Sequence, residues 1–523
     1  MRDIHSYARP EKKRLRHIDL HLFADFYGRR LSGTARLTAE GTGSTLVLDT
    51  RGLAIHGASH PWRLGTPDAI LGAPLEIQTG PGIVEVSVEY ETGADASALQ
   101  WLDDEPCLFT QSQAIHARSW VPVQDTPGVR VTWTAQVDAP AGLRVLTSAG
   151  HLPVPSYLMA LAIGPFEFAA LSERCGVWAT TKLLRQAAHE FEDIERMMEA
   201  AERLYGPYRW GRYDILVMPP SFPFGGMENP CLTFATPTIL AGDKSLVSLI
   251  AHELAHSWTG NLVTNATWRD FWLNEGFTTY AERRIQEAVF GDRRARMEAA
   301  VELSELREEM THLSDDDQRL APDLTGRDPD DGCTLVPYVK GAALLRRLEQ
   351  VHGRQQFDRF LRQYIDRFAF QSITTEQFVE HYDKALGGYQ LAAWIHEPGL
   401  PADLPEPEFA FETEPRGEWA TQEWLRWLRS LPPDADLAAI DQQWQLTSST
   451  NTEIVTAWLT LAIERNYSPA FHRVESFLST VGRRKFLKPL YRALGERGKP
   501  FFEKAKRGYH PITRAEIEKL LYS

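Results

Sequence analysis

The spacing of apolar residues changes along the chain and divides it into parts. From about residue 10 to residue 170, apolar and polar side chains alternate in segments such as IDLHLFADF and VRVTWTAQV, which Gly, Pro and Asp separate. A period of two is typical of strands with one buried face. We therefore predict an N-terminal antiparallel β-sheet domain, a saddle or a sandwich, over residues 1–170.

Apolar residues recur at helical spacing in the middle and at the end of the chain. One helical run, ATTKLLRQAAHEFEDIERMMEAAERLYG, stops at Gly206. We predict a mixed α/β domain over residues 171–396. The proline-rich stretch that follows predicts a linker over residues 397–412. Amphipathic segments such as EWATQEWLRWLRSL then predict an all-helical, solenoid-like domain over residues 413–523, so that the whole chain is a multidomain α+β protein.

Composition limits the partners of the chain. The 523 residues, 43% hydrophobic and 24% charged, have the balance of a globular protein with more than one domain. A formal net charge of -14 disfavours nucleic acid as a partner, because binding to phosphates requires basic patches. No apolar stretch has the length of a signal peptide or a membrane helix. We expect a cytoplasmic protein, a monomer, with no membrane partner.

The motif HELAH at residues 252–256 is the strongest chemical signal. Residues four apart lie on one face of a helix, so His252 and His256 can reach a single ion. A catalytic zinc site takes three protein ligands and water, and Glu275 in the downstream segment WRDFWLNEGFTTY supplies the third. A chance pentad with two structural histidines is the alternative, and the NEG segment argues against it. We predict one Zn²⁺ per chain.

The residues around this motif predict hydrolysis. Zinc lowers the pKa of its water ligand to about 7 and polarises the scissile carbonyl. Glu253 would accept the water proton and pass it to the leaving amine. Tyr338 in VPYVKG is the predicted donor to the oxyanion, and packing at the start of a helix is the alternative role for this tyrosine.

The segment PSFPFGGMENPCLTF carries a predicted anchor for a free N-terminus. A buried ammonium group needs a fixed carboxylate, and Glu228 lies just after a glycine pair. An extended peptide could hydrogen-bond to the backbone of Gly225, Gly226 and Met227. Alone, GGMEN would be only a tight loop. Joined to the zinc motif, it predicts an aminopeptidase that acts on short peptides with a free N-terminus.

These motifs together resemble the gluzincin aminopeptidases, most closely their leukotriene A4 hydrolase and aminopeptidase B branch. The likeness extends through SQAIHARSWVPVQDTPGVRVTWTA, HSWTGNLVTNATWRDFWLNEG and the terminal HPITR, so it covers nearly the whole chain. It implies a saddle-shaped N-terminal sheet, a thermolysin-like catalytic domain and a C-terminal helical domain.

The resemblance also implies roles for individual residues. The implied catalytic set comprises zinc ligands His252, His256 and Glu275, base Glu253, donor Tyr338 and ammonium anchor Glu228. The implied substrate contacts are Gln111 and Gln113 at the first residue, Asp330 at a basic first side chain, and Arg483 and Lys485 at the C-terminal carboxylate. From the residues alone, strand-edge glutamines, a solvated turn and a basic helix face are the alternatives.

One position departs from this branch. Five residues before the equivalent of Tyr338, the leukotriene enzyme has a second tyrosine associated with its lipid substrate, whereas this chain has Cys333. The departure disfavours epoxide hydrolysis. Two other hypotheses stay open. A thermolysin-like endoprotease would not need a buried Glu228, and a zinc-stabilised binding module would usually close its site with four protein ligands.

Overall fold

The computed structural model describes residues 3–103 and 105–522. It has an N-terminal β domain, a mixed α/β middle domain and a C-terminal helical domain, so the predicted fold class is confirmed. The N-terminal strands are β1 (Lys13–Asp25), β2 (Arg30–Gly41), β3 (Thr45–Thr50), β4 (Ala54–Ala58), β5 (Trp62–Leu64), β6 (Ala73–Gln78), β7 (Gly82–Glu91), β8 (Leu99–Leu102), β9 (Cys107–Thr110), β10 (Arg130–Asp138), β11 (Arg144–Thr147), β12 (Gly150–Pro155) and β13 (Leu161–Gly164).

The N-terminal strands form three sheets. Their orders are β12-β10-β1-β2-β7-β4, β3-β6-β5 and β11-β13-β9-β8. Most neighbouring strands are antiparallel, as predicted, but β1 and β10 pair in parallel, with His17 opposite Thr132 and Leu22 opposite Val137. Parallel neighbours need a long crossover, and the chain from β2 to β9 provides it. Alternation along a strand gives no information about the direction of its neighbour, so this pair was not predicted.

The middle domain contains a five-stranded sheet covered by helices. Its strands are β14 (Phe166–Ala170), β15 (Cys175–Thr180), β16 (Tyr213–Val217), β17 (Gly226–Met227) and β18 (Leu232–Ala235), with the short pair β19 (Val263–Asn265) and β20 (Gln371–Ile373) apart from them. Its helices are α1 (Thr181–Glu190), α2 (Ile194–Tyr205), α3 (Ser248–Ala255), α4 (Trp272–Phe290), α5 (Asp292–Met310), α6 (Gly341–His352), α7 (Arg354–Phe368), α8 (Thr375–Ala385) and α9 (Ala392–His396). The sheet order is β14-β15-β16-β18-β17, so the two-residue strand β17 forms an edge.

The helical run that was predicted to end at Gly206 is two helices, α1 and α2, instead of one. The break follows Glu190, whose carboxylate accepts hydrogen bonds from the backbone N–H groups of Gly242 and Lys244, both at 2.9 Å. Phe191 and Ile194, on either side of the break, are buried in the core. Tertiary contacts therefore override a helical pattern that contains no Gly or Pro.

The C-terminal domain is entirely helical within its described residues. Its helices are α10 (Thr421–Ser430), α11 (Leu437–Trp444), α12 (Thr452–Glu464), α13 (Phe471–Thr480), α14 (Arg484–Leu494), α15 (Lys499–Ala505) and α16 (Pro511–Tyr522). One hydrophobic core runs from Leu15 to Ile395 through the first two domains, and a separate one runs from Trp419 to Leu521. Among the helices of residues 3–103 and 105–522, none has the length and apolar character needed to cross a membrane.

A buried ion pair holds the segment that follows β9. The Arg118 side chain is fully buried, and its Nε donates to Asp125 Oδ2 at 2.9 Å. The guanidinium also donates to the backbone oxygens of Leu71 and His5, at 2.8 and 2.7 Å. Asp49, also buried, accepts a hydrogen bond from the Asp125 N–H at 2.9 Å. These bonds tie distant parts of the N-terminal domain to the segment that carries Gln111 and Gln113.

We expect Arg118→Met to lower the free energy of unfolding by about 3–5 kcal/mol, because it leaves the buried carboxylates of Asp49 and Asp125 without their cation. Urea denaturation would measure the loss. The matched control is Arg16→Met, which removes an exposed partner of Glu40 and should cost about 0–1 kcal/mol. Equal unfolding midpoints for the two variants would contradict the assignment.

Candidate metal centre and substrate site

Helices α3 and α4 bring the three predicted zinc ligands together. The rings of His252, in the last turn of α3, and His256, the residue that follows α3, have centroids 4.8 Å apart. Glu275 Oε2, from α4, lies 3.2 Å from His252 Nε2 and 3.4 Å from His256 Nε2. Ligand atoms about 2.0–2.1 Å from a tetrahedral zinc ion are about 3.4 Å from one another. The three side chains therefore fit a zinc ion.

The opposite ring nitrogens of both histidines are held by the protein. His252 Nδ1 lies 3.0 Å from Glu282 Oε2, two turns beyond Glu275 on α4. His256 Nδ1 lies 3.0 Å from the Thr259 backbone oxygen and 3.1 Å from Thr278 Oγ1. Such contacts set the orientation of ligand histidines, and they leave both Nε2 atoms directed at the shared position.

The electrostatics of the centre keep its ligand carboxylate ionised. Burial opposes ionisation of Glu275, but the charges and hydrogen bonds of His256 and His252 outweigh it and lower the pKa of Glu275 to about 2. Burial raises the pKa of Glu253 to about 8. Within the described residues, Glu253 Oε2 is buried without a hydrogen-bond partner. A buried, unpaired carboxylate beside a metal position is suited to proton transfer.

Side chains at the positions of Gly225 and Gly226 would collide with neighbouring residues. A Cβ atom on Gly226 would lie 2.2 Å from Glu253 Oε1, and a Cβ atom on Gly225 would lie 2.6 Å from Arg483 Nη2. Gly226 and Met227 form the edge strand β17, which pairs on one side with β18. The other side of this edge can therefore receive an extended peptide by backbone hydrogen bonds.

Glu228 is a desolvated carboxylate next to the metal position. It is 4% exposed, and burial raises its pKa. Its Oε1 has no hydrogen-bond partner in the part of the chain that is described. One carboxylate oxygen of Glu228 lies within 4.8 Å of ligand-type atoms of Glu253 and His256. A desolvated carboxylate of this kind requires a cation or a hydrogen-bond donor.

Tyr338 reaches the site through a close contact between two helices. It lies in a single π-helical turn, Val336–Lys340, and its ring is stacked 6.0 Å from that of His252. A Cβ atom on Gly276 would lie only 2.8 Å from the Cα atom of Gly341 at the start of α6. The two glycines allow α6 to approach α4, and this approach brings Tyr338 beside the metal centre.

One cavity of about 350 Å³ joins nearly all of the predicted site residues. Those that line it are Gln111, Gln113, Gly225, Gly226, Met227, Glu228, His252, Glu253, His256, Glu275, Tyr338, Arg483 and Lys485. Asp330 is not part of this lining within the described residues. Its carboxylate accepts hydrogen bonds from the Ala114 N–H at 3.2 Å and from His116 Nε2 at 2.9 Å. Its contact with a basic first residue stays a prediction.

The four remaining predicted substrate contacts, Gln111, Gln113, Arg483 and Lys485, differ in their surroundings. Gln111 Nε2 donates to Met227 Sδ at 3.3 Å. Gln113 is 7% exposed. Arg483 Nη1 donates to Thr238 Oγ1 at 3.2 Å, and burial lowers the pKa of this guanidinium. Lys485 Nζ donates to Glu453 Oε1 at 2.6 Å. The cavity thus extends from the metal centre to the helical domain.

Sequence reasoning missed one wall of this cavity. The missed lining residues include Glu298, Glu302 and Glu305 on α5 and Gln422 on α10. The spacing of the glutamates, four and three residues apart, places them on one face of a helix and was visible in the sequence. The position of that face opposite the zinc motif depends on tertiary packing.

Comparisons with known proteins agree with this geometry. Three protein-family models match the sequence. The family described as "Peptidase family M1 domain" matches residues 189–397, "Leukotriene A4 hydrolase, C-terminal" matches 419–521, and "Peptidase M1 N-terminal domain" matches 73–151. The chain is 36% identical to a leukotriene A-4 hydrolase of Xenopus laevis, over 100% of this chain and 99% of the relative. It is 35% identical to leucine aminopeptidase 2 of Aspergillus terreus, over 91% and 90% of the two chains.

A solved structure resembles the whole molecule. The structure of yeast LTA4 hydrolase in complex with bestatin has a TM-score of 0.93 and 30% sequence identity to this chain. The match covers 100% of this chain and 98% of the yeast protein. The resemblance therefore extends over all three domains.

We expect Glu282→Gln to weaken zinc binding by about 10–100-fold, because it removes the charge that orients and polarises His252. Competition with a chromogenic chelator would measure the affinity without any dependence on turnover. Glu287→Gln, on the same helix but not bonded to either histidine, is the matched control. If both variants hold zinc as tightly as the parent, Glu282 has no role in the centre.

Proposed function

Because the chain belongs to peptidase family M1 and is a zinc aminopeptidase of that family, we propose that the cavity described above removes the first residue of short peptides. The single observation that carries this proposal is the position of the unpaired, buried Glu228 carboxylate beside a set of side chains that fits zinc. A relative named leucine aminopeptidase 2 supports the same activity.

His252, His256 and Glu275 would hold one zinc ion per chain. When bound, zinc supplies a Lewis acid that acidifies water and polarises a carbonyl group. Glu253, whose carboxylate lies against Gly226, accepts a proton from the attacking water and passes it to the leaving amine. Tyr338, whose ring stacks on His252, donates to the oxyanion.

The N-terminal end of the peptide is bound by charge and by backbone contacts. Glu228 pairs with the ammonium group, and the amides of Gln111 and Gln113 contact the first residue. The edge of β17 aligns the peptide backbone, which sets the first peptide bond at the metal. This arrangement selects exopeptidase over endopeptidase action, because an internal peptide segment offers no cation to Glu228.

The far end of a short peptide would meet the helical domain. We propose that Arg483 and Lys485 bind the C-terminal carboxylate, so that two anchors at a fixed separation favour tripeptides. Asp330 would act on a basic first side chain through a rearrangement of its bond to His116. Epoxide hydrolysis is not part of the proposal, because Cys333 stands in place of the second tyrosine of the leukotriene enzyme.

The setting of the enzyme is proposed as well. The net charge of -14 and the absence of long apolar segments from the sequence support a cytoplasmic monomer whose partners are peptides rather than nucleic acids or membranes. The predicted boundaries were 1–170, 171–396, a linker over 397–412, and 413–523; we propose to move the first of them to before β14 (Phe166–Ala170), because this strand pairs with β15 in the sheet of the second domain. The gap between the two hydrophobic cores supports the linker.

We expect Glu253→Gln to keep its zinc and to lose at least about 10²–10⁴-fold in kcat, because the change removes a proton acceptor but no ligand. Zinc content per chain and turnover of a leucine peptide would be measured on the same preparation. A variant with full zinc and parental turnover would refute the role of Glu253.

We expect Glu228→Ala to lower kcat/KM on free peptides far more than it lowers zinc content, because the substrate ammonium loses its desolvated partner. The measurement compares a free peptide with its N-acetylated form in the parent and in the variant. The parent should cleave only the free peptide. Parental rates on both forms in the variant would make Glu228 an ordinary loop residue.

A further inference from the structure

The cavity has an acidic wall that the proposed mechanism does not use. Glu298, Val301, Glu302 and Glu305 project into it from one face of α5. The helical domain contributes Gln422, Glu453, Arg483 and Lys485 to the same cavity. A peptide that extends from the metal centre toward the helical domain shares the cavity with this wall.

Arginines compensate these glutamates from outside the cavity. Arg294 Nε donates to Glu298 Oε1 at 3.0 Å, and Arg429 Nη2 donates to Glu305 Oε1 at 2.6 Å. Arg283 forms the corresponding pair with Glu302, at 2.5 Å. In the described part of the chain, the cavity is lined by the glutamates and not by these arginines. The surface presented to a ligand is therefore carboxylate.

Gln422 supplies an observation independent of the acidic cluster. It is 7% exposed and lines the cavity. Its Nε2 donates to Glu298 Oε1 and to the Ser245 backbone oxygen, both at 3.2 Å. Its Oε1 is buried and has no hydrogen-bond partner within residues 3–103 and 105–522. An amide oxygen left in this state requires a donor.

The Glu298 carboxylate beside it also has an acceptor oxygen without a donor. Glu298 is 4% exposed, and among the described residues its Oε2 accepts no hydrogen bond, since Arg294 and Gln422 both donate to Oε1. Burial, followed by the charges of Glu282 and Glu302, raises the pKa of Glu298 to about 8 despite Arg294. A cation at Oε2 would relieve both burial and repulsion.

We propose that Glu298 and Gln422 form a subsite for the cationic side chain of a peptide residue that follows the first one. The inference rests on the proposed aminopeptidase function. Two acceptor oxygens without donors, one of them on a carboxylate, match an ammonium or guanidinium group. The first residue is held at Glu228 and the glutamines, so the cation belongs to the second or third residue.

With this subsite, the cavity has one basic and one acidic binding region. Arg483 and Lys485 would receive the terminal carboxylate, while the wall of α5 receives a basic side chain nearby. Peptides with a lysine or arginine near their C-terminus would bind to both regions. This specificity is separate from any preference at the first residue.

The test compares isosteric peptides that differ by one charge. Leu-Lys-Ala is compared with Leu-norleucine-Ala, and Leu-Ala-Lys with Leu-Ala-norleucine, by kcat/KM for release of leucine. In the parent, the lysine peptide should be favoured about tenfold at one of the two positions, the worth of one charge-assisted hydrogen bond. In Glu298→Gln the ratio should fall to about threefold or less.

Two further variants make the result decisive. Glu308→Gln, on the exposed face of the same helix, should keep the full ratio. Gln422→Leu removes the amide acceptor but not the Glu298–Arg294 pair, and it should lower the ratio. If circular dichroism shows that Glu298→Gln is unfolded, the ratio measured for Gln422→Leu decides the test.

The outcomes separate the subsite from the enzyme itself. No preference for lysine at either position in the parent would overturn the subsite, as would a ratio equal in the parent, Glu298→Gln and Gln422→Leu. Failure of the zinc-replete parent to release leucine from the norleucine peptides would instead refute the proposed aminopeptidase function.

Discussion

The organisation of this site depends on the cost of burying carboxylates. Several of them surround a pair of imidazoles at the centre of the molecule: Glu228, Glu253, Glu275 and Glu282, each at most 6% exposed. An isolated buried carboxylate costs several kcal/mol, so each must be matched by a cation or a donor. The histidines match two of them through hydrogen bonds. In the proposed function, the remaining carboxylates are matched by a metal ion and by the ammonium group of the substrate.

Three domains contribute to meeting that demand. The N-terminal domain supports Glu228 indirectly, since Arg130 donates to the Asn261 backbone oxygen at 2.5 Å and Asn261 Nδ2 donates to the Glu228 backbone oxygen at 2.7 Å. The middle domain supplies the three side chains that fit a zinc ion, from the end of α3 and from α4. The helical domain contributes Arg483, whose guanidinium lies against Gly225. No single domain contains a complete site among the residues described.

How far the sequence predicts this site depends on whether the information is local. The spacing of HELAH puts His252 and His256 on one turn of helix, and the fold retains that geometry. From the sequence, the contact of His252 with Glu282 could be inferred only from the position of Glu282 two turns after Glu275, on the same face of α4. The position of Tyr338 depends on the approach of Gly276 to Gly341, which no local pattern encodes.

The same limit explains the fold-level differences. The three-domain α+β architecture followed from the changes in apolar period, but the parallel pairing of β1 with β10 and the break between α1 and α2 arise from distant contacts. The resemblance to a known family placed Gln111 and Arg483 in the site, where the residues alone favoured ordinary surface roles. The bond between Asp330 and His116 was not apparent, because it joins segments far apart in the chain.

The separate hydrophobic core of the helical domain has an evolutionary consequence. Residues of this domain that face the cavity, such as Gln422 and Arg483, are supported by packing from Trp419 to Leu521, whereas the metal ligands are supported by the other core. In the proposed function, substitutions on α10 or before α14 would therefore change which peptides fit, while the core that supports the metal site stays the same. Substrate range can diverge by genetic drift on one module while catalytic competence is conserved on the other.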